Sequence, residues 1–212
     1  MALFGIHDLG LFVVSGLLLN ILPGPDSLLI MTRSASQGAR AGCVAAAGVG
    51  AGVFVHILAA ALGLSAVLQT SAMAFTVVKY IGAAYILYLA VGLLRSKGAA
   101  AGAVVKSAPL PLPKIFGQGF LTNVLNPKVA LFFLAFVPQF IDAQAPNKAL
   151  AFLVLGCIFN INGMLWCNAL ALFTARASAR VKLGGRAATV LGRVTGCLFL
   201  WLGIKLALSK NT

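Results

Sequence analysis

The chain has 212 residues, 61% of them hydrophobic and only 9% charged, with a formal net charge of +13. A soluble domain of this size carries about a quarter charged residues, so the composition excludes one and indicates a single-domain integral membrane protein. Nor does the positive charge mark a nucleic-acid binder, because the cations fall between apolar runs with no basic stripe interleaved with aromatics.

The N-terminal stretch "MALFGIHDLGLF" has no Lys or Arg before its apolar run and no small-residue cleavage pattern after it, so the first hydrophobic segment is expected to stay as a span. A span needs roughly 20 apolar residues, and six windows qualify, at about 9–32, 42–68, 72–94, 115–140, 149–174 and 188–208. The second is rich in Ala and Gly, which lets helices approach closely and predicts a place in the bundle interior. A Pro-, Gly- and Lys-rich connection at about 96–114 reads as a loop between two halves, about 1–95 and 115–212. Cys43, Cys157, Cys167 and Cys197 lie scattered in apolar runs without a CxxC spacing and read as small core residues, not metal ligands.

Cations set the orientation. Arg33 and Arg40 flank the first connection, Arg95, Lys97, Lys106 and Lys114 the third, and Arg176, Arg180, Lys182 and Arg186 the fifth. The opposite side has Lys148 and Lys210 and also Asp8 and Asp142. Both termini are therefore expected to face away from the cytoplasm, with the cation-rich connections inside it.

Two pairs of segments match across the halves. "NILPGPDSLLI" (20–30) aligns with "NVLNPKVALFF" (123–133), so that Asn20 meets Asn123, Pro25 meets Pro127 and Asp26 meets Lys128. "KYIGAAYILYL" (79–89) aligns with "RVTGCLFLWLG" (193–203), pairing Lys79 with Arg193 and Gly82 with Gly196. Three spans per half is an odd number, so the second half crosses with opposite polarity. The fold expected is an all-α membrane protein of six helices, built as a 3+3 inverted repeat with spans one and four broken at PGPD and NPK.

Proline inside a helix removes a hydrogen bond and clashes with the preceding turn. In lipid, the freed backbone is tolerated only where protein or a water-lined cavity satisfies it. Paired breaks at Pro23, Gly24 and Pro25 and at Asn126 and Pro127 therefore predict a transporter's midplane site. Asn126–Pro127 suits an N-cap and first helical turn, and Gly24–Pro25 can do the same. Such half-helix ends favour an anionic group such as a carboxylate. A charge at this depth costs at least ~2.5–3.5 kcal/mol unless paired or hydrated. Asp26 and Lys128 are therefore expected to pair, either permanently or in a contact that opens for a zwitterionic amino acid.

Other polar residues inside spans leave alternatives open. His56 can relay protons or bond a neighbouring carbonyl. Asn160, Asn162 and Asn168 line span five, and Asn160 and Asn168 are read as sharing a face, for substrate or as interhelical glue. Lys79 and Arg193 read as snorkelling anchors. No enzyme signal is present: two His, three Asp and no Glu cannot build an HExxH zinc site or a carboxylate pair, and there is no GxSxG and no P-loop.

"LPGPDSLLIMTRSASQGARAG" and "GFLTNVLNPKVALFFLAFVPQF" resemble the lysine-exporter (LysE) superfamily, most closely its homoserine/threonine exporter (RhtB) branch. The resemblance covers nearly the whole chain. It implies a bacterial inner-membrane exporter of amino acids or close derivatives, driven by the proton motive force and without a cofactor. It also implies that Pro23, Gly24, Pro25, Asp26, Asn126, Pro127 and Lys128 are signature positions, with Asn20 and Asn123 beside them. Homodimerisation is left open. Neutral or weakly polar substrates such as threonine, homoserine or leucine are favoured, because Asp26 is the only acid well inside a span. Export of basic amino acids and export of a divalent metal cation are the alternatives.

Overall fold

The computed structural model describes residues 3–64 and 109–177, with single helical positions between 73 and 91 and between 197 and 204. Its elements are α1 (Leu9–Ile21), α2 (Pro25–Gln37), α3 (Ala39–Leu58), α4 (Leu112–Val124), α5 (Pro127–Leu131) and α6 (Lys148–Ala177). α3 runs on as a π-turn, Ala59–Leu64, and α5 continues through a π-turn, Phe132–Phe136, into a 3-10 turn, Val137–Phe140. Among the described residues everything regular is helical, apart from one isolated bridge between Ile6 and Ile141. The protein is an all-α membrane protein.

Among the described residues, two helices are long and apolar enough to cross a membrane alone, Ala39–Gly63 and Lys148–Ala177. Two bent pairs are long and apolar enough together: α1 with α2 at 53°, and Leu112–Val124 with Pro127–Phe140 at 45°. The two bends fall where the prolines predict them. The windows expected at 72–94 and 188–208, and with them the match of Lys79 to Arg193, lie almost wholly outside the described residues.

Gly38 explains the tight reversal from α2 into α3. It ends one helix and begins the next at φ +82, a left-handed backbone that glycine adopts without a Cβ clash. Its N–H closes on Ser34 O at 3.0 Å, and its carbonyl starts α3 by accepting from Gly42 N at 3.3 Å.

α3 is interior, as its small residues predict, and glycines bring it onto α4. A Cβ on Gly48 would collide with the Phe116 carbonyl, and one on Gly119 with the Ala45 carbonyl. The two backbones thus touch without side chains between them. Gly48→Val or Gly119→Val should force the helices apart and destabilise the protein by about 1–3 kcal/mol. The measurement is a melting temperature in detergent, with Gly117→Ala as the control, since a Cβ there meets nothing within 4 Å.

The remaining packing among the described residues forms two clusters. One is aromatic, with Phe12, Phe132, Phe133, Phe136, Phe140 and Phe159 at its heart. The other is built from small or slim side chains, among them Ala41, Ala45, Ala46, Ala171 and Cys167. Cys43 is half-buried, whereas Cys157 and Cys197 are exposed, so only Cys167 meets the expectation of a core cysteine in full. A flank of a membrane helix is as apolar as its core, so an apolar context alone does not bury a cysteine.

Apart from Asp26 and Lys128, the charges among the described residues sort to two ends. At one end, His7 N donates to Phe140 O at 3.1 Å and Asp142 N to Gly5 O at 2.8 Å, bringing Asp8 and Asp142 together around His7. At the other end, Arg33 donates to Gln118 Oε1 at 3.0 Å, and Gln37 exchanges two hydrogen bonds of 2.9 Å with the backbone of Leu110. Arg40 and Lys114 flank that second junction. Arg176 lies there too, because Ala171 earlier on α6 sits against Gly42.

Candidate functional site

The two breaks meet. At the first, α1 ends at Ile21, and Gly24 and Pro25 restart the chain as the N-cap and first residue of α2, which puts Asp26 in the first turn. At the second, Asn126 caps α5, its side-chain oxygen accepting from Lys128 N at 3.0 Å, and Pro127 fills the first helical position. The restart of each half-helix matches the sequence expectation. Pro23, Pro25 and Pro127 are exposed and face away from the junction, so their part is to break the backbone.

Asp26 and Lys128 line one cavity but do not form an ion pair with each other, contrary to expectation. Each is held by uncharged groups of the opposite break. Asp26 Oδ2 accepts from Asn123 Nδ2 and from Asn126 Nδ2, both at 2.9 Å. Lys128 Nζ donates to the carbonyls of Leu19 at 3.1 Å and Leu22 at 3.0 Å. Those carbonyls belong to the frayed end of α1. Lys128 therefore caps the negative end of α1, while Asp26 sits at the positive end of α2. Gly24 makes room for this arrangement, since a Cβ there would stand 3.2 Å from Lys128 Nζ.

The expectation of an open half-helix end is corrected at the second break, whereas at the first Gly24 supplies no side-chain cap. The N–H of Lys128 is taken by Asn126 Oδ1, and those of Val129 and Ala130 by the Asn126 carbonyl. A residue that caps its helix well leaves few donors for a ligand.

Three groups of the cavity wall remain open. Asp26 Oδ1 is buried and has no hydrogen-bond partner. An ammonium has three donors, and Lys128 spends two on carbonyls. The Asn123 amide oxygen, also buried without a partner, is a second acceptor, so two acceptors and one donor flank a cavity of about 30 Å³. On the same measure a water needs about 10–15 Å³, so this conformation is too tight for an amino acid.

Asn20, Asp26, Asn123, Lys128 and Asn160 line the cavity; Pro23, Gly24, Pro25, Asn126, Pro127, His56 and Asn162 do not. His56 Nε2 lies 3.0 Å from the Asn123 carbonyl and its ring stacks on Phe133, the carbonyl-bonded arrangement rather than a place on the cavity wall. Asn160 donates to Gly50 O at 3.3 Å, and Asn20 to Phe159 O at 3.4 Å. Asn168 folds back on Met164 O of its own helix at 2.8 Å, so it does not share the cavity face with Asn160. Eight residues at about 100° each leave the two most of a quarter-turn apart.

Sequence reasoning missed the apolar wall, formed mainly by Val49, Val53, Phe159, Met164 and Cys167. Asn160, Gly163, Met164 and Cys167 recur at i, i+3, i+4 and i+7, but α6 is apolar on every side, so that spacing does not single them out.

A family model described as LysE type translocator matches residues 17–210. An uncharacterized membrane protein of Pseudomonas aeruginosa is 35% identical over 213 residues, 98% of this chain and 98% of its own. A leucine efflux protein of Salmonella typhimurium is 28% identical over 204 residues, 96% of each chain. A leucine efflux protein of an Enterobacter species is also 28% identical over 204 residues, 96% of this chain and 97% of its own. No solved structure matches the chain.

Proposed function

The chain belongs to the LysE type translocator family, a family of transporters and not of enzymes, and we propose that it exports neutral or weakly polar amino acids, of the size of threonine, homoserine or leucine, from the cytoplasm. The observation that carries this reading is the open acceptor on Asp26 beside the open donor on Lys128. A zwitterion fits both: its ammonium bonds Asp26 Oδ1 and its carboxylate takes the third N–H of Lys128. The apolar wall then receives the side chain. Relatives that are leucine efflux proteins support the same substrate class.

Both clusters contribute to the cavity wall, Leu19, Val53, Val129 and Phe159 from the aromatic one and Val49 and Cys167 from the other. The cation-rich end, with Arg33, Arg40, Lys114 and Arg176, faces the cytoplasm by the positive-inside rule, leaving both termini periplasmic across the bacterial inner membrane. A 3+3 inverted repeat accounts for two similar bends, 53° and 45°, that cross-brace each other. Export is coupled to protons, which share the ammonium's preference for a carboxylate oxygen.

Two alternatives want groups that are not found together among the described residues. A basic side chain wants a second acid beside Asp26, and a divalent metal wants several carboxylates or thiolates converging, whereas the cavity wall offers Asp26 and Cys167. The test is counterflow in proteoliposomes with a panel of labelled amino acids, with and without a pH gradient. Accumulation of leucine-sized neutral substrates, enhanced by the gradient, is the expected result. No exchange of any amino acid, alongside efflux of a divalent metal, would overturn the reading.

A further inference from the structure

A leucine-sized side chain needs space that the 30 Å³ cavity does not have, so some part of the wall must yield. Most of the wall is stiff. Val49, Val53 and Val129 are β-branched and restricted at χ1. Phe159 is locked in the aromatic cluster, its ring centroid 4.5 Å from that of Phe132 and 5.6 Å from that of Phe133. Leu19 is buried in the same cluster. Met164 differs: it is unbranched, turns about three bonds, and carries a polarizable thioether.

Its seat is specific. A Cβ built on Gly50 of α3 would collide with Met164 Sδ and stand 3.2 Å from its Cγ. The thioether of α6 thus occupies the notch that glycine leaves in the facing helix. Met164 can leave that notch by rotating about its own bonds, with no movement of either backbone, and the space it releases joins the cavity.

We propose that Met164, seated over Gly50, is the residue that sets which amino-acid side chains the site accepts. It fills the side-chain subsite when substrate is absent and swings aside to a degree that matches the side chain entering. This rests on the reading of the cavity as the amino-acid site. Asp26 and Lys128 recognise what all amino acids share, and Met164 with Gly50 discriminates between them.

The experiment is competition counterflow in proteoliposomes with alanine, leucine and phenylalanine, for the wild type, Met164→Ala and Gly50→Ala. Ratios between substrates cancel differences in the amount of folded protein. Met164→Ala should raise the phenylalanine-to-leucine ratio on the order of tenfold, the scale on which apolar pockets discriminate by size. Gly50→Ala fills the notch, so the space that Met164 releases is no longer there for a side chain, and preference should shift toward alanine by a similar factor. The second variant also guards against misfolding of the first, because the atom its Cβ meets is the end of a flexible side chain. Unchanged ratios in both variants, with an active wild type, would overturn the role of Met164. A wild type that exchanges no amino acid would instead overturn the reading of the site.

Discussion

Asp26→Asn should lower amino-acid counterflow by on the order of 10- to 100-fold and leave the protein folded. The two oxygens of Asp26 do different work. Oδ2 is held by the amides of Asn123 and Asn126, both at 2.9 Å, and those side chains are only 1% and 2% exposed. An asparagine at this position keeps one carbonyl oxygen for them. The other oxygen, buried without a partner, becomes an amide N–H₂ that cannot accept from a substrate ammonium. A hydrogen bond to a charged group is worth about 1.5–3 kcal/mol, and every 1.4 kcal/mol is about tenfold in affinity. Asp26→Leu should behave differently, because it removes both acceptors and leaves two buried amides unpaired at about 1–3 kcal/mol each. That variant should lose its folded population in detergent as well as its transport. Counterflow at the wild-type rate by Asp26→Asn would show that the ammonium is bound elsewhere.

The legibility of this site in the sequence divides along a physical line. Pro25 and Pro127 remove a backbone donor whatever surrounds them, so the breaks in spans one and four could be read from residue type alone. Asn126 before Pro127 is equally local, and the observed cap follows from it. The partner of Lys128 could not be read. Its bonds go to the carbonyls of Leu19 and Leu22, and every residue has a carbonyl. Charge sign pointed to Asp26 because side-chain charges are the partners a sequence displays. The apolar wall was hidden for a different reason. In a membrane helix the lipid face and a cavity face are both apolar, so α6 reads the same all round, and Met164 stands out only once Gly50 is known to face it. His56 held two readings in the sequence, and the carbonyl of Asn123 at 3.0 Å distinguishes them in favour of the structural one.

The strongest consequence of the cross-bracing is that exchanging the two charges should fail. If Asp26 and Lys128 were a permanent ion pair, Asp26→Lys combined with Lys128→Asp would restore the fold. In the observed arrangement each charge answers to uncharged groups of the opposite break and not to the other charge. The two exchanges are not equally harmful. A lysine at 26 meets amide donors and the positive end of α2, yet Asn123 can turn its amide over and offer Oδ1, which has no partner to lose. Asn126 cannot do so without giving up its bond to Lys128 N. An aspartate at 128 is worse placed, because the carbonyls of Leu19 and Leu22 are backbone and cannot turn. It would set a carboxylate against two acceptors at the negative end of α1. An uncompensated buried charge costs about 3–5 kcal/mol. Lys128→Asp should therefore account for most of the damage, and the double variant should melt below Asp26→Lys alone and show no counterflow. Melting curves in detergent for both singles and the double provide the comparison. A double variant that regains the wild-type melting temperature would mean that the two charges pair directly after all.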